Sequence, residues 1–429
     1  MVQLNRSMME RYEIADRRPE QARCMILGAD AVMLGCVARL LDGKGIGAVC
    51  ATAKAEYLAP QDGMFTMLVR GENLDGKRIK EERVVQSILS VCAPEEAPQH
   101  AAEAEVIFCH AGNTAELATA ALVRKARIDM GLTAPRIIEV TDDPAASATV
   151  GQLALAEALC GSLGPAEAAA AQHEMNYKDD FIAWAEPFAR LTTNGEAPEA
   201  IAPICSGLDY AKTCDKKKRI FDSAVFLCAA AGFLAGKKNF AEVLRDEAMR
   251  AWIGHSFFDE ILPTLPYEKD EIAPDVISAF ERLENPMNDM PLLETGRNLL
   301  GNFCRTILPS IRAYADKTFE APIGLSFALA SAIFLYAGAR RENGGFFVAR
   351  GDEKQLITDD PEILDTFARF SHDMPAETLA YAALADRSIW GCDLREIDGL
   401  EMRIAYDLSS IQRIGFGEAL KLKTLEWAE

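Results

Sequence analysis

Histidine is scarce in this sequence, with five in 429 residues, and no CxxC pair occurs among its eleven cysteines. A structural zinc framework is thereby excluded, and an odd cysteine count without regular spacing excludes a disulfide scaffold. Long apolar runs are also missing. The two longest, 223–235 and 323–339, contain or adjoin Gly and Ser and fall short of a membrane span, so they read as buried helices. Positive charge is in the minority: 45 Lys and Arg stand against 65 Asp and Glu, a formal net charge of −20. Nucleic acid and anionic membrane are repelled at a distance by such a chain, and neither is expected as a partner. Residues 1–19 are charged and lack an apolar core, so no signal peptide is expected there. No internal repeat is present, and no low-complexity segment longer than the alanine-rich 164–172.

What remains is the composition of an ordinary globular protein, 49% hydrophobic and 26% charged. The cysteines, among them Cys24, Cys50, Cys109 and Cys228, sit in apolar runs, which fits buried thiols in a reducing, cytoplasmic setting. A chain of this length outgrows a single core. Its pattern changes character near Thr213, giving an expected α/β Rossmann-type domain over 1–213 and an all-α domain over 214–429.

The first half alternates strands and helices. Residues 23–27 are an apolar run ending in Gly28, followed by a helical pattern over 31–41, the opening of a dinucleotide-binding βαβ unit. The glycine fingerprint is broken. Asp30 occupies the place where a second glycine would let the backbone approach a pyrophosphate, and Gly35 comes one or two residues late. A second strand is expected over 46–51, with no acidic residue at its end to take a ribose diol, so the choice between NAD and NADP stays open. A β insertion over 64–71 has its turn at Asn73-Leu74-Asp75-Gly76. Residues 83–91 read as a strand or short helix, and 94–104 as an exposed helix. A buried strand over 105–110 leads to Asn113 and Glu116, where N-T-x-E is both a capping sequence and a loop at the carboxyl edge of a sheet, where ligands of open α/β folds bind. His110 ends that strand and reads either as a core residue or as a site residue. A further strand is expected over 136–140, a helix over 144–163 and a loop over 173–180.

The second half reads as helix after helix, punctuated by Pro263, Pro266, Pro286, Pro309, Pro322 and Pro375. It opens on Cys214-Asp215-Lys216-Lys217-Lys218-Arg219-Ile220-Phe221-Asp222. A cation cluster at the start of an apolar helix reads either as a solvated basic turn or as the place of a general acid or base.

Several stretches together resemble one family, the long-chain polyol and sugar-acid dehydrogenases. These are Ala59-Pro60-Gln61-Asp62-Gly63-Met64-Phe65-Thr66, Asn113-Thr114-Ala115-Glu116, Ala185-Glu186-Pro187-Phe188, Asp259-Glu260-Ile261-Leu262-Pro263-Thr264-Leu265, Asn285-Pro286 with Leu308-Pro309-Ser310, and Ile389-Trp390-Gly391. Within that family of mannitol dehydrogenases and relatives, the likeness is to the tagaturonate reductases (altronate oxidoreductases). It implies a Rossmann-type domain for NAD or NADP, a helical domain, an active site in the cleft between them, and a sugar acid or polyol as substrate. It also implies the catalytic pattern K-x4-N-x2-H, whose lysine gives a proton to the substrate oxygen.

Here Lys217 keeps the lysine, while Asp222 stands at the asparagine and Val225 at the histidine. Asp222 also lies four residues after Lys218, the spacing of an ordinary helix-face ion pair. Met290 and Asn302 replace a histidine and a lysine that the family directs at an anionic substrate. The candidate residues are therefore Lys217 and Asp222 for catalysis, and Gly28, Asp30, Gly35, Asn113 and Glu116 for the cofactor. Two functions are compatible with them: a nicotinamide-dependent oxidoreductase of a keto sugar acid or polyol, or a catalytically degenerate paralogue that binds a ligand or partner.

Overall fold

The structure, a computed structural model, describes residues 1–12, 21–72, 79–285, 290–350 and 353–426. The turn expected at Asn73-Leu74-Asp75-Gly76 and the break expected at Pro286 lie outside the described residues. The chain divides into two compact units, Met1–Asp215 and Lys216–Glu429.

In the first unit a seven-stranded sheet is made of β1 (Ala22–Leu27), β2 (Gly47–Ala51), β3 (Ser90–Cys92), β4 (Val106–His110), β5 (Arg136–Thr141), β6 (Gln152–Glu157) and β7 (Arg190–Thr193). Their order is β7-β6-β5-β4-β1-β2-β3. All neighbours run parallel except β7 against β6. This is the doubly wound order, which reverses direction between β1 and β4. The continuous apolar run of β1 follows from burial on both faces. Cys24 and Ile26 point into one core with Phe108, whereas Met25 and Leu27 point into the other with Ile107. Helix α1 starts as the π-helical Met33–Ala38 and continues as the α-helix Arg39–Gly43, and helix α2 spans Thr114–Asp129.

A second, four-stranded sheet combines Met64–Glu72 and Ile79–Ser87 with Cys160–Ser162 and Ala183–Ala185. Its anchor is the motif around Gln61, which is completely buried beside Asp179. Gln61 Nε2 donates to Asp179 Oδ1 at 2.9 Å, and Asp179 Oδ2 accepts from the Thr66 backbone at 2.6 Å. Asp62 and Gly63, with φ of 53° and 73°, make the left-handed turn that presents Gln61. The motif is therefore structural.

Three local expectations fail. Residues 144–163 form no helix; they contain β6 and the strand Cys160–Ser162, because pairing with β5 and β7 overrides the helix preference of Leu and Ala. Residues 173–180 are not a loop, since the helix Pro165–Met175 runs into them and the strand Tyr177–Lys178 follows. The segment Pro94–Glu103 is a 3₁₀ helix whose Ala97 and Ala101 are buried rather than exposed.

The second unit is almost entirely α-helical. A π-helical turn, Lys217–Asp222, leads into α3 (Ser223–Leu234), and α4 (Leu299–Thr306), α5 (Leu308–Thr318), α6 (Ile323–Ala337) and the short α7 (Arg387–Trp390) follow. Helices α3 and α6 are apolar on all sides and pack on each other, as helices buried in a core must. The unit also holds a small antiparallel sheet, Arg340–Glu342, Gly345–Arg350 and Glu353–Ile357. Among the described residues no helix is long and apolar enough to cross a membrane.

Candidate functional site

In the first unit a cavity of about 520 Å³ opens at the carboxyl ends of β1, β2 and β4. Gly28, Thr52 and Lys54 line one side, and His110, Asn113 and Glu116 the other. Four of the five residues expected at the cofactor, Gly28, Asp30, Asn113 and Glu116, thus meet here. Gly35 does not: it is buried inside α1, where an added Cβ would lie 2.6 Å from that of Cys160. Its role is close packing of helix on strand.

Gly28 ends β1 with φ at 87°, and an added Cβ would approach Glu116 Oε1 to 2.9 Å. Both constraints demand glycine. Asn113 caps α2 through its side-chain oxygen, which accepts from Glu116 N at 3.2 Å. The cap points Glu116 back beneath the Gly28 turn. There its carboxylate accepts from the His110 backbone at 2.7 Å and meets His110 Nδ1 at 2.9 Å.

On its other side His110 meets Asp30: Nε2 lies 2.8 Å from Asp30 Oδ2. The Asp30 Oδ1 atom accepts from Met33 N at 2.8 Å, at the N-terminal end of α1. An imidazole between two carboxylates is favoured as the cation. Burial alone would push its pKa down, but the hydrogen bonds and charges of Asp30 and Glu116 outweigh that and raise it to about 10. Asp30 is held low: burial pushes it up, and His110 and the helix N–H groups overcome this. The sequence left His110 open between core and site. Its side chain is 25% exposed and bridges the two loops that flank the crevice. No local signal announces this, because Asp30 is 80 positions away.

Lys54 stands just past the end of β2, where a dinucleotide site commonly carries an acid. Its Nζ lies 3.4 Å from the Ala29 carbonyl oxygen and 5.4 Å from the centre of the Phe181 ring.

Lys217 and Asp222 belong to the second unit and pair with each other, Nζ to Oδ1 at 2.8 Å. The expected partner of Asp222 was Lys218, four residues earlier. The π turn changes the geometry, since its wider i to i+5 repeat brings position 222 round to the face of position 217. A spacing of five thus becomes a side-chain contact that a regular α-helix would not make. Arg219 on the same turn donates to Ser310 Oγ of α5 at 2.7 Å. Val225 is buried, as is Met290. Asn302, on the exposed side of α4, accepts from Arg305.

No protein-family model matches the chain. It is 27% identical to the altronate oxidoreductase of Halalkalibacterium halodurans over 259 residues, 57% of this chain and 50% of that protein. Against the altronate oxidoreductase of Klebsiella pneumoniae it is 27% identical over 268 residues, 59% of this chain and 53% of that one. The match spans about half the length of these curated relatives. Among solved structures, D-sorbitol dehydrogenase in its substrate-free form superposes with a TM-score of 0.72 at 12% identity, over 98% of this chain and all of that one. Mannitol 2-dehydrogenase of Pseudomonas fluorescens, in a ternary complex with NAD and D-mannitol, superposes with a TM-score of 0.71 at 14% identity, over 98% and 99%. At such identities the likeness establishes the fold.

Proposed function

We propose, from the premise that this chain is a divergent, distantly related member of the polyol and sugar-acid dehydrogenase superfamily, that it is a nicotinamide-dependent oxidoreductase acting on a keto sugar acid or polyol. The observation that carries the reading is the cavity at the Gly28 turn, at the point where the strand order reverses.

The residues fit the nucleoside part of a dinucleotide well. Gly28 removes side-chain bulk from the turn, and Thr52, Asn113 and Lys54 offer polar groups around the cavity. With Lys54 after β2 and no acid there, the phosphorylated form, NADP, is the better match. The diphosphate fits on one condition: the Asp30 carboxylate must release the N–H groups of α1, whereupon a phosphate oxygen replaces it as the partner of His110. Glu116 stays behind to hold the imidazolium. Cofactor binding is weakened by this exchange rather than abolished, because the Asp30 side chain is 50% exposed and its ion pair is screened.

A bound nicotinamide would supply or accept the hydride. The chain's own part is the proton: Lys217 Nζ gives it to the substrate oxygen during reduction and takes it back during oxidation. Asp222 positions that ammonium through the 2.8 Å contact. The second reading, a degenerate paralogue that no longer takes the nicotinamide cofactor and serves as a ligand-binding, regulatory or interaction protein, is favoured by the hold of Asp30 on the diphosphate seat and by Val225 in place of a polar group.

Titration with NADPH and NADH, followed by intrinsic fluorescence and thermal shift, separates the two. Saturable binding with NADPH the tighter supports the oxidoreductase; no binding of either at millimolar concentration rejects it in favour of the paralogue. In a preparation that oxidises altronate or mannitol, Lys217→Ala is expected to cost roughly 10²–10⁴-fold in turnover. An unchanged rate removes the proton-transfer role.

A further inference from the structure

We propose that Cys392 and Cys304 form a hydroperoxide-responsive thiol pair, Cys392 reacting first and Cys304 closing the disulfide. Seven of the other cysteines, Cys24, Cys36, Cys50, Cys92, Cys109, Cys214 and Cys228, are buried; these two are half-buried. Cys392 is singled out further by Arg312 of α5, whose Nη2 lies 2.7 Å from the sulfur. A guanidinium against a partly accessible sulfur is the surrounding in which cysteines react with peroxides.

The partner thiol is close by. Cys304, on α4, lies with its sulfur 3.5 Å from the Trp390 carbonyl oxygen, and the Cys392 sulfur lies 3.6 Å from the same atom. Both thiols hang on one acceptor, so their separation cannot exceed the sum of those two contacts. That acceptor is a fixed point: Trp390 is buried, its Nε1 donates to the Ala383 carbonyl at 2.7 Å, and its ring meets Phe303 edge-on at 5.2 Å. The joint between Trp390 and Cys392 is free to adjust. It is Gly391, with φ at 70° and open space where a Cβ would stand. Burial, and the neighbouring Cys392, push the Cys304 thiol up, while Arg312 and Arg305 oppose them. Cys304 is thereby the slower of the two towards a peroxide, which leaves Cys392 to react first, and it gives up its proton only as it attacks the sulfenic acid.

The chemistry balances. The Cys392 thiolate attacks the terminal oxygen of a hydroperoxide, the O–O bond breaks, and the departing alkoxide takes a proton to leave as an alcohol, or as water from hydrogen peroxide. The sulfenic acid so formed is attacked by Cys304, which loses its proton. The S–O bond breaks, water leaves, and a disulfide remains, two electrons having passed from the thiols to the peroxide.

The test uses the full chain, hydrogen peroxide at equimolar amount, rapid alkylation and a non-reducing peptide map, and it needs no turnover. The expected product is a Cys304–Cys392 cross-linked peptide, lighter by two hydrogens, with the half-buried Cys205 of the same molecule still alkylated. In Cys304→Ser, a dimedone adduct accumulates at Cys392. Arg312→Gln slows the oxidation of Cys392 about tenfold, as expected for losing one charge-assisted hydrogen bond, and Arg312→Lys recovers part of the rate. The proposal is overturned if wild-type Cys392 oxidises no faster than Cys205, or if it becomes sulfenic without linking to Cys304. Either result is read on the unmutated protein, so a misfolded variant does not blunt the test.

Discussion

A carboxylate at the N-terminal end of α1 takes up the N–H groups that the helix would offer to an anion, and Asp30 does so while also facing His110. Charge and hydrogen bonding can be separated here. Asp30→Asn keeps an acceptor for Met33 N but removes the negative charge, so NADPH should bind about tenfold tighter, ~1.4 kcal/mol, while the Tm falls because His110 loses one of its two carboxylates; an unaltered Kd would sink the idea that Asp30 obstructs the diphosphate. His110 gives an independent reading. Its pKa is raised to about 10 by the two carboxylates against the pull of burial, so its ring should still be protonated at pH 8 by NMR titration. A midpoint near the ordinary histidine value would mean that the bridge is not formed. That Gly28 and Asp30 stand in a turn, and Asn113 and Glu116 at a helix start, is legible in the sequence because turns and caps are local chemistry. The sequence could not locate the bridge, since residues 30, 110 and 116 meet only when β1 and β4 lie side by side.

Elements show the same division between local and long-range causes. Strand β1 and helix α2 were legible from an apolar run and a cap. Strand β6, Gln152–Glu157, was not, because Gln, Leu, Ala and Glu prefer helix and only its two neighbouring strands make it extended. The hairpin in the helical unit has a local signal of its own: Asn343-Gly344, with φ of 48° and 84°, is the favoured two-residue hairpin turn. The loop before β6 is held by a device with no sequence signature. Glu139 of β5 is fully buried, and its carboxylate accepts from Thr149 N at 2.9 Å and from Val150 N and Gly151 N at 2.7 Å. Burial pushes that carboxyl up, and the backbone donors overcome it and hold it below its usual range. Glu139→Gln, which brings an N–H group against those donors, should cost ~1.5–3 kcal/mol in denaturant unfolding. Amide exchange should quicken at residues 149–151; a loss below about 0.5 kcal/mol would show that the loop does not depend on this carboxylate.

At the scale of the whole molecule, the excess of 65 acids over 45 bases fixed the expectation about nucleic acid but said nothing of how stability depends on pH. That depends on which carboxyls are buried, and the fold answers it. Carboxyls whose pKa is lowered in the folded state, Glu139 by backbone donors against burial and Asp246 chiefly by its bond to Lys237, stabilise above their unfolded values and lose that contribution as the pH falls. Glu260 has the opposite sign. It is buried, caps α6 by accepting from Gly324 N and Leu325 N at 2.8 Å each, and is raised by burial, against those donors, to about 7. Its contribution is full below its unfolded value of 4.5 and is lost as the pH rises through 7. His110, raised to about 10, loses its own contribution in a later window, from its unfolded value of 6.5 upward. The Tm should therefore peak between about pH 5 and 6 and fall in two stages as the pH rises. Glu260→Gln keeps an oxygen that can accept from the α6 backbone but removes the titration, so it should lessen the fall up to pH 7, in which Asp407, also raised by burial to about 7, still takes part, and leave the later fall in place. His110→Gln should do the reverse. Calorimetry across this range on the three proteins decides the matter: a wild-type Tm that rises from pH 6 to 8, or a Glu260→Gln profile parallel to wild type, would exclude the buried carboxyl as the cause.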